Sequence, residues 1–284
     1  MNPKIAPDFG DGSDGDVNIV GNVLLTRSMS YNLLVVTPAS ILYSMGFKVR
    51  AKIKLTVDAG GFISAAGQPG APGAAGSGGA GGLVNFTGTR LPEASIPKPG
   101  AAGADSGVNG AVPSVGGLVS AALLDPVAGS NLLEGRQWAG GGGAGGGSVG
   151  DGVMPGQVPD RIIIGAPGGN GGDAQRIAGN HNKGGGGGGG GGGKIDIAAQ
   201  EIDNNGTITA NGGIGGDGEG DANAQAGGGG GGGGGAIDIK YKTVSGGGLG
   251  TRTVVGGLGG ASFGGVADGL PGAPGFSYAM KIGA

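Results

Sequence analysis

Between Phe47 and Val57 apolar and polar residues alternate one for one. Phe47, Val49, Ala51, Ile53, Leu55 and Val57 take one side; Lys48, Arg50, Lys52, Lys54 and Thr56 take the other. A period of two held over that length predicts a half-buried strand. Upstream, Val17 and Ile19, then Leu33 and Val35, open two more apolar runs about 15 residues apart. Asn, Gly and a Pro-Ala-Ser turn fall between them. That spacing predicts a short solenoid of β rungs over residues 16–67. Downstream the strand motif recurs. Ile53-Lys-Leu55 leads to Gly61-Phe-Ile-Ser-Ala-Ala-Gly67, and Ile195-Asp-Ile197 leads to Gly206-Thr-Ile-Thr-Ala-Asn-Gly212. Ile237-Asp-Ile239, 42 residues beyond Ile195, leads to Thr251-Arg-Thr-Val-Val-Gly256. Each unit reads as a strand, a turn, a second short strand and a glycine return. Arg161-Ile-Ile-Ile-Gly165 reads as another member, and Phe276-Ser-Tyr-Ala-Met-Lys-Ile282 as a closing strand. No long window reads as a helix, because Gly and Pro punctuate nearly all of them. The expected class is all-β and non-helical.

Composition changes the picture through glycine, 80 of 284 residues. Residues 184–193 and 227–235 are pure glycine and run straight into Lys194-Ile195-Asp196-Ile197 and Ala236-Ile237-Asp238-Ile239. Fixing ten glycines costs on the order of 10–20 kcal/mol, so a lone tract stays a coil. Order requires that its N–H and C=O groups bond to neighbouring chain. The left-handed threefold helix does this, rising roughly 3.1 Å per residue with its polar groups pointing outward. The tracts are therefore expected to be rods in a polyglycine-II helix bundle with short strands interspersed. Collagen is excluded, since the only Gly-x-y run, 67–76, holds three triplets. The expected division is an N-terminal β-solenoid or attachment module, 1–67, and a glycine-rich module, 68–284.

Charged residues make up 13%, the net charge is −3 and aromatics are 4%. This is not the charged, apolar-poor signature of disorder, and it leaves little for a large conventional core. The acidic balance argues against a nucleic-acid partner. The absence of Cys removes disulfides and thiolate chemistry. The N-terminus shows no secretory h-region, and the run from Leu118 to Leu124 is too short to span a bilayer. Assembly in a cytoplasm without membrane insertion is the expectation. Lys48, Arg50, Lys52 and Lys54 form a basic face with two readings: a solvated strand guarded by charge, or an attachment surface for an acidic partner.

Catalytic chemistry is sparsely encoded. Gly193-Lys194 is followed by Ile195 rather than a magnesium-holding Ser or Thr. His181 is the only histidine, in a polar loop. Asp8, Asp11, Asp14 and Asp16 cluster near the N-terminus, and Asp217, Glu219 and Asp221 lie among glycines. Residues 168–173 and 212–217 fit Gly-Gly-x-Gly-x-Asp, but Gln175 and Glu219 stand where calcium β-rolls carry a bulky apolar residue. Solvated turn carboxylates are the expected reading. No enzyme activity, cofactor or metal is expected.

Polyglycine at 184–193 and 227–235, with 140–147 broken only by Ala144, alternates with variable segments. In this the chain resembles glycine-rich bacteriophage virion proteins, most of all the long-tail-fibre tip adhesins of T-even-type phages. The opening Asp14-Gly-Asp-Val-Asn-Ile, with Leu24-Leu-Thr-Arg and Tyr31-Asn-Leu-Leu-Val, is similar to an N-terminal β-helix of other such proteins. The resemblance implies a polyglycine-II bundle whose intervening loops touch a host cell-surface receptor. Anchors of the type enriched in interfaces are Phe86, Arg90, Arg136, Trp138, Tyr241 and Arg252; Trp138 and Tyr241 are equally read as core residues. Two functions stay open: a receptor-binding fibre or spike component, and a capsid decoration or head-spike protein without receptor contact. Either is a virion structural protein among other virion proteins, with self-association open. Scattered Thr argues against ice binding.

Overall fold

The computed structural model describes residues 9–73, 79, 82, 148–149, 164–165, 175–176, 185–219, 224–264 and 268–282. Its strands are β1 (Val17–Ile19), β2 (Asn22–Leu24), β3 (Met29–Val36), β4 (Ile41–Tyr43), β5 (Lys48–Val57), β6 (Phe62–Ser64), β7 (Ser148–Val149) and β8 (Ile164–Gly165). There follow β9 (Gln175–Arg176), β10 (Lys194–Asn204), β11 (Thr207–Thr209), β12 (Ala224–Gln225), β13 (Ala236–Val244), β14 (Thr251–Thr253) and β15 (Phe276–Lys281). Among the described residues there is no helix, and so none long and apolar enough to cross a membrane.

Two parallel sheets dominate, and neither closes into a barrel. The six-stranded sheet runs β1-β3-β5-β10-β13-β15 and the five-stranded sheet β14-β11-β6-β4-β2. The chain visits them in turn, one strand in the first and the next in the second. The sequence repeat sets the stacking: Ile195 pairs with Ile237 and Ile197 with Ile239, while Ile208 pairs with Ile63 on one side and Arg252 on the other. The sheets run across the 67/68 boundary, since β5 pairs with β10 and β6 with β11. Ile164–Gly165 instead pairs antiparallel with Ser148–Val149, outside the parallel sheets.

The core lies between the two sheets. Leu34, Leu55, Ile202, Leu42, Ile63 and Ile208 are fully buried, the burial of each contributing about 1.5–3 kcal/mol. In β3 it is Leu34 and Val36 that face the core, with Val17 opposite Leu34. The alternation in β5 also breaks at a bulge, where pairing jumps from Ala51 to Lys54 against Ala199 and Glu201. Two residues there oppose one, and Ile53 turns outward to 49% exposure.

Beyond the short strands the chain continues as glycine segments, 65–73, 210–218 and 254–262, which leave the five-stranded sheet. Segments 185–193, 226–235 and 268–275 return to the six-stranded one. Hydrogen bonds between them recur every third residue. Gly67, Gly70 and Gly73 donate to Asn211, Ile214 and Asp217; Gly212, Gly215 and Gly218 donate to Val255, Leu258 and Ala261, all at 2.8–2.9 Å. Gly186, Gly189 and Gly192 donate to Gly227, Gly230 and Gly233, and outgoing and returning segments cross-link through pairs such as Gly229 to Gly216. None of these segment glycines has positive φ; that conformation belongs to turn glycines such as Gly60. Glycine is needed here for space. A Cβ on Gly231 would lie 2.0 Å from the Gly257 carbonyl oxygen, and one on Gly213 would lie 1.9 Å from that of Gln68. In segments 210–218 and 254–262 the non-glycine residues fall at every third position: Ile214, Val255 and Leu258 are exposed there, while the Asn211 and Asp217 side chains accept from the Val255 and Ala261 N–H groups.

Candidate functional site

The chemistry-bearing side chains gather on the outer face of the six-stranded sheet. Register places Lys48, Asp196, Asp238 and Tyr278 in one row across β5, β10, β13 and β15; Arg50, Ala198, Lys240 and Met280 form the next. Ala198 between Arg50 and Lys240 leaves room for the guanidinium to reach diagonally. Arg50 Nη1 donates to Asp196 Oδ1 at 2.8 Å and to the Asp196 carbonyl at 3.3 Å. Lys194 Nζ lies 3.9 Å from Asp196 Oδ2, and Lys240 Nζ 3.4 Å from Asp238 Oδ2. Further along, Lys54 bridges Glu201 at 3.0 Å and Asp203 at 3.1 Å.

Of the four residues read as a uniform basic face, Lys48 and Lys52 are exposed, Arg50 is buried in its ion pair, and Lys54 is held between two acids. The face is mixed in charge. The partners stand some 146 residues away in sequence; the signal for them was the stacking of Lys-Ile-Asp-Ile on the β5 motif, which sets acids beside bases.

The two aspartates are pushed apart. Burial raises the pKa of Asp196, but Arg50, then Lys194 and Lys240, outweigh it and hold the carboxyl below its ordinary value. Asp238 has no guanidinium, and burial raises it above the ordinary 3.8. Its Oδ1 is buried without a hydrogen-bond partner, as are Arg50 Nε and Ser277 Oγ. Lys54 is raised by Glu201 and then Asp203; Glu201 is lowered by the Ser245 hydroxyl and then Lys54. Oppositely shifted neighbouring carboxyls are an acid–base pattern, but Asp196 Oδ1 is held by Arg50 and Asp238 Oδ1 is shut from solvent. The arrangement fixes charge on the sheet face.

A raised acid destabilises the folded state once it ionises. The cost of Asp238 is absent below the unfolded value of 3.8 and grows as pH rises through its folded value. Asp238→Asn should therefore raise the melting temperature at pH 7, and the gain should fade as pH drops below 3.8. A gain of equal size at both pH values would remove burial of the charge as its cause.

The remaining candidates are dispersed. Tyr241 packs against the core, and Arg252 stands in the core-facing column of Ile63 and Ile208. Phe86, Arg90, Arg136, Trp138, His181, Asp8, Asp221, residues 140–147 and residues 168–173 lie outside the described residues. Four of the described acidic side chains near these turns have local partners. Asp11 is held at about 2 by the Ser13 backbone N–H and the Ser30 hydroxyl. Asp14 pairs with Arg27, Asp16 accepts from Asn32 at 2.8 Å, and Asp217 accepts from the Ala261 N–H at 2.7 Å. Among the described residues no three carboxylate or histidine side chains converge as a metal site would need. No protein-family model, curated relative or solved structure matches this chain.

Proposed function

We propose that the chain is a non-enzymatic bacteriophage virion component: a short β-solenoid continued by a polyglycine-II bundle, acting as a receptor-binding fibre or spike part. The observation carrying this reading is the three-residue hydrogen-bond register of the glycine segments, together with the lack of space for any Cβ between them. A threefold helix turns every third residue to the same neighbour, so that register is what side-by-side rods of this kind would make. A bundle of this type is stiff, has little conformational freedom to lose on binding, and holds whatever it carries at a fixed place.

Its partners on this reading are other virion proteins and a host cell-surface receptor. The mounting surface is the exposed part of the basic face, Lys48 and Lys52. The packing of Tyr241 and the column position of Arg252 favour the second reading, a capsid decoration or head spike without receptor contact, since they withdraw two candidate anchors.

Antibody labelling of purified particles separates the two readings, with label at a fibre tip for the adhesin and on the head for the decoration. The purified chain should also compete with particles for adsorption to host cells. Lys48→Glu with Lys52→Glu should lower incorporation several-fold without changing the melting temperature. Label on no particle would end both readings, and normal incorporation of the double variant would move the mounting surface elsewhere.

A further inference from the structure

Among the described residues the six-stranded sheet ends on β15, paired there with β13 alone. Phe276 donates its N–H to Gly235 at 3.0 Å and Ile282 to Tyr241 at 2.7 Å. In a parallel ladder alternate residues turn their polar groups to the same side. Ser277, Ala279 and Lys281 therefore direct N–H and C=O to the open edge. Proteins guard such edges with proline, bulges, central charge or shortness. The edge strands β1, β2 and β14 are three residues each, and β14 has Arg252 at its centre. The six-residue β15 has no proline or bulge and a single charge, Lys281, at its end. Phe276 and Tyr278 stay 46% and 37% exposed on it, their rings stacked at 6.3 Å.

The glycine row beside it changes character at its last segment. Gly231 and Gly234 donate to Leu270 and Ala273. Since Ala236 is in register with Phe276, the matching positions of the last segment are Pro271 and Pro274. Proline has no N–H to give, so the last segment does not repeat at these two positions the donations that Gly231 and Gly234 make.

We infer that two copies of the chain join through β15, pairing antiparallel about a twofold axis at Ala279, so that their six-stranded sheets become one. The strand is its own complement in this register. Ala279 faces its symmetry mate and Ser277 faces Lys281, giving about six main-chain hydrogen bonds. On the outer face Tyr278 meets Met280, a favourable sulfur–aromatic pair, and Phe276 meets Ile282. No like charges oppose. The contact is isologous and closes at two copies. It is independent of the virion reading, because it rests on the edge alone.

Sedimentation velocity of the full chain tests it at micromolar concentration. The expected species is a dimer. Ala279→Pro removes an edge N–H at a place where an edge strand tolerates proline, and should raise the dimer dissociation constant at least about tenfold. Because the chain has no Cys, register can be read directly. Facing non-hydrogen-bonded residues have Cα atoms about 4.5 Å apart, so Tyr278→Cys with Met280→Cys should form a covalent dimer on mild oxidation. Either single variant should not, its sulfurs being diagonal and beyond about 7 Å. If Ala279→Pro fails to fold, the cysteine pair decides. A monomeric parent, an unweakened Ala279→Pro dimer in a folded protein, or cross-linking by the single variants alone would overturn the proposal. A mixed complex with a foreign strand in place of the dimer would overturn it too.

Discussion

Gly231→Val should leave the protein unable to reach its native state, and Gly231→Ala should cost more than about 4 kcal/mol. The added Cβ would sit 2.0 Å from the Gly257 carbonyl oxygen and 2.5 Å from its carbon. Neither is a side chain that can swing aside. The segment holding Gly257 is itself tied to Gly232 and to Gly272, so yielding at one point breaks the register on both sides. The contrast is positional. Leu258 is the next residue along, but it points away from the bundle and is 69% exposed. Leu258→Ala should change stability by no more than about 0.5 kcal/mol. Denaturant titration of the three variants is the check. Equal stability of Gly231→Ala and Leu258→Ala would mean that the segments are not close-packed, and the bundle reading would fall with it.

The second large effect concerns Arg50. Arg50→Ala should cost about 3–5 kcal/mol at pH 7, because it strands a buried carboxylate. Asp196 is held low chiefly by Arg50 acting against burial, and without it the charge keeps only Lys194, 3.9 Å from its other oxygen, and the weaker pull of Lys240. Most of the loss should vanish in the double variant Arg50→Met with Asp196→Val, where no charge is left to strand. The sign with pH follows. A lowered carboxyl contributes stability that is present above its unfolded value and lost as pH falls through its folded one. The gap between parent and Arg50→Ala should therefore narrow on acidification below 3.8. A gap that persists there, or a double variant as weak as the single, would assign the loss to packing of the arginine stem.

How far the sequence reached differs from element to element. The alternation of β5 and the Ile-Asp-Ile copies of β10 and β13 located the long strands, and the repeated tail after each located β6, β11 and β14. The closing strand at Phe276 was equally legible. The side-chain period of a strand is two, so a run of five or six apolar–polar steps announces itself. In β3 the pattern does not choose between Leu33 with Val35 and Leu34 with Val36, because Tyr31-Asn-Leu-Leu-Val-Val carries apolar residues on both faces and a one-residue slip exchanges the two. The exposure of Ile53 was invisible for a related reason. A bulge inserts one residue into the period, and its position is set by the neighbouring strands β3 and β10 rather than by β5 itself.

The basic face shows the same limit in charge. Lys48, Arg50, Lys52 and Lys54 read as four like charges only while β5 is viewed alone. Parallel stacking then brings Asp196, Glu201 and Asp203 beside them, and two of the four become ion-pair partners.

By itself the sequence determined the non-helical, strand-rich class and the places of the long strands with their repeated tails. These are local consequences of period and propensity. The tertiary structure decided which strand lies against which, and so which charges are neutralised, which aspartate is lifted and which is held down. It also decided which edge is left open at β15. Those are relations between residues more than a hundred positions apart. Parallel pairing fixes them through a register that no single stretch of the chain contains.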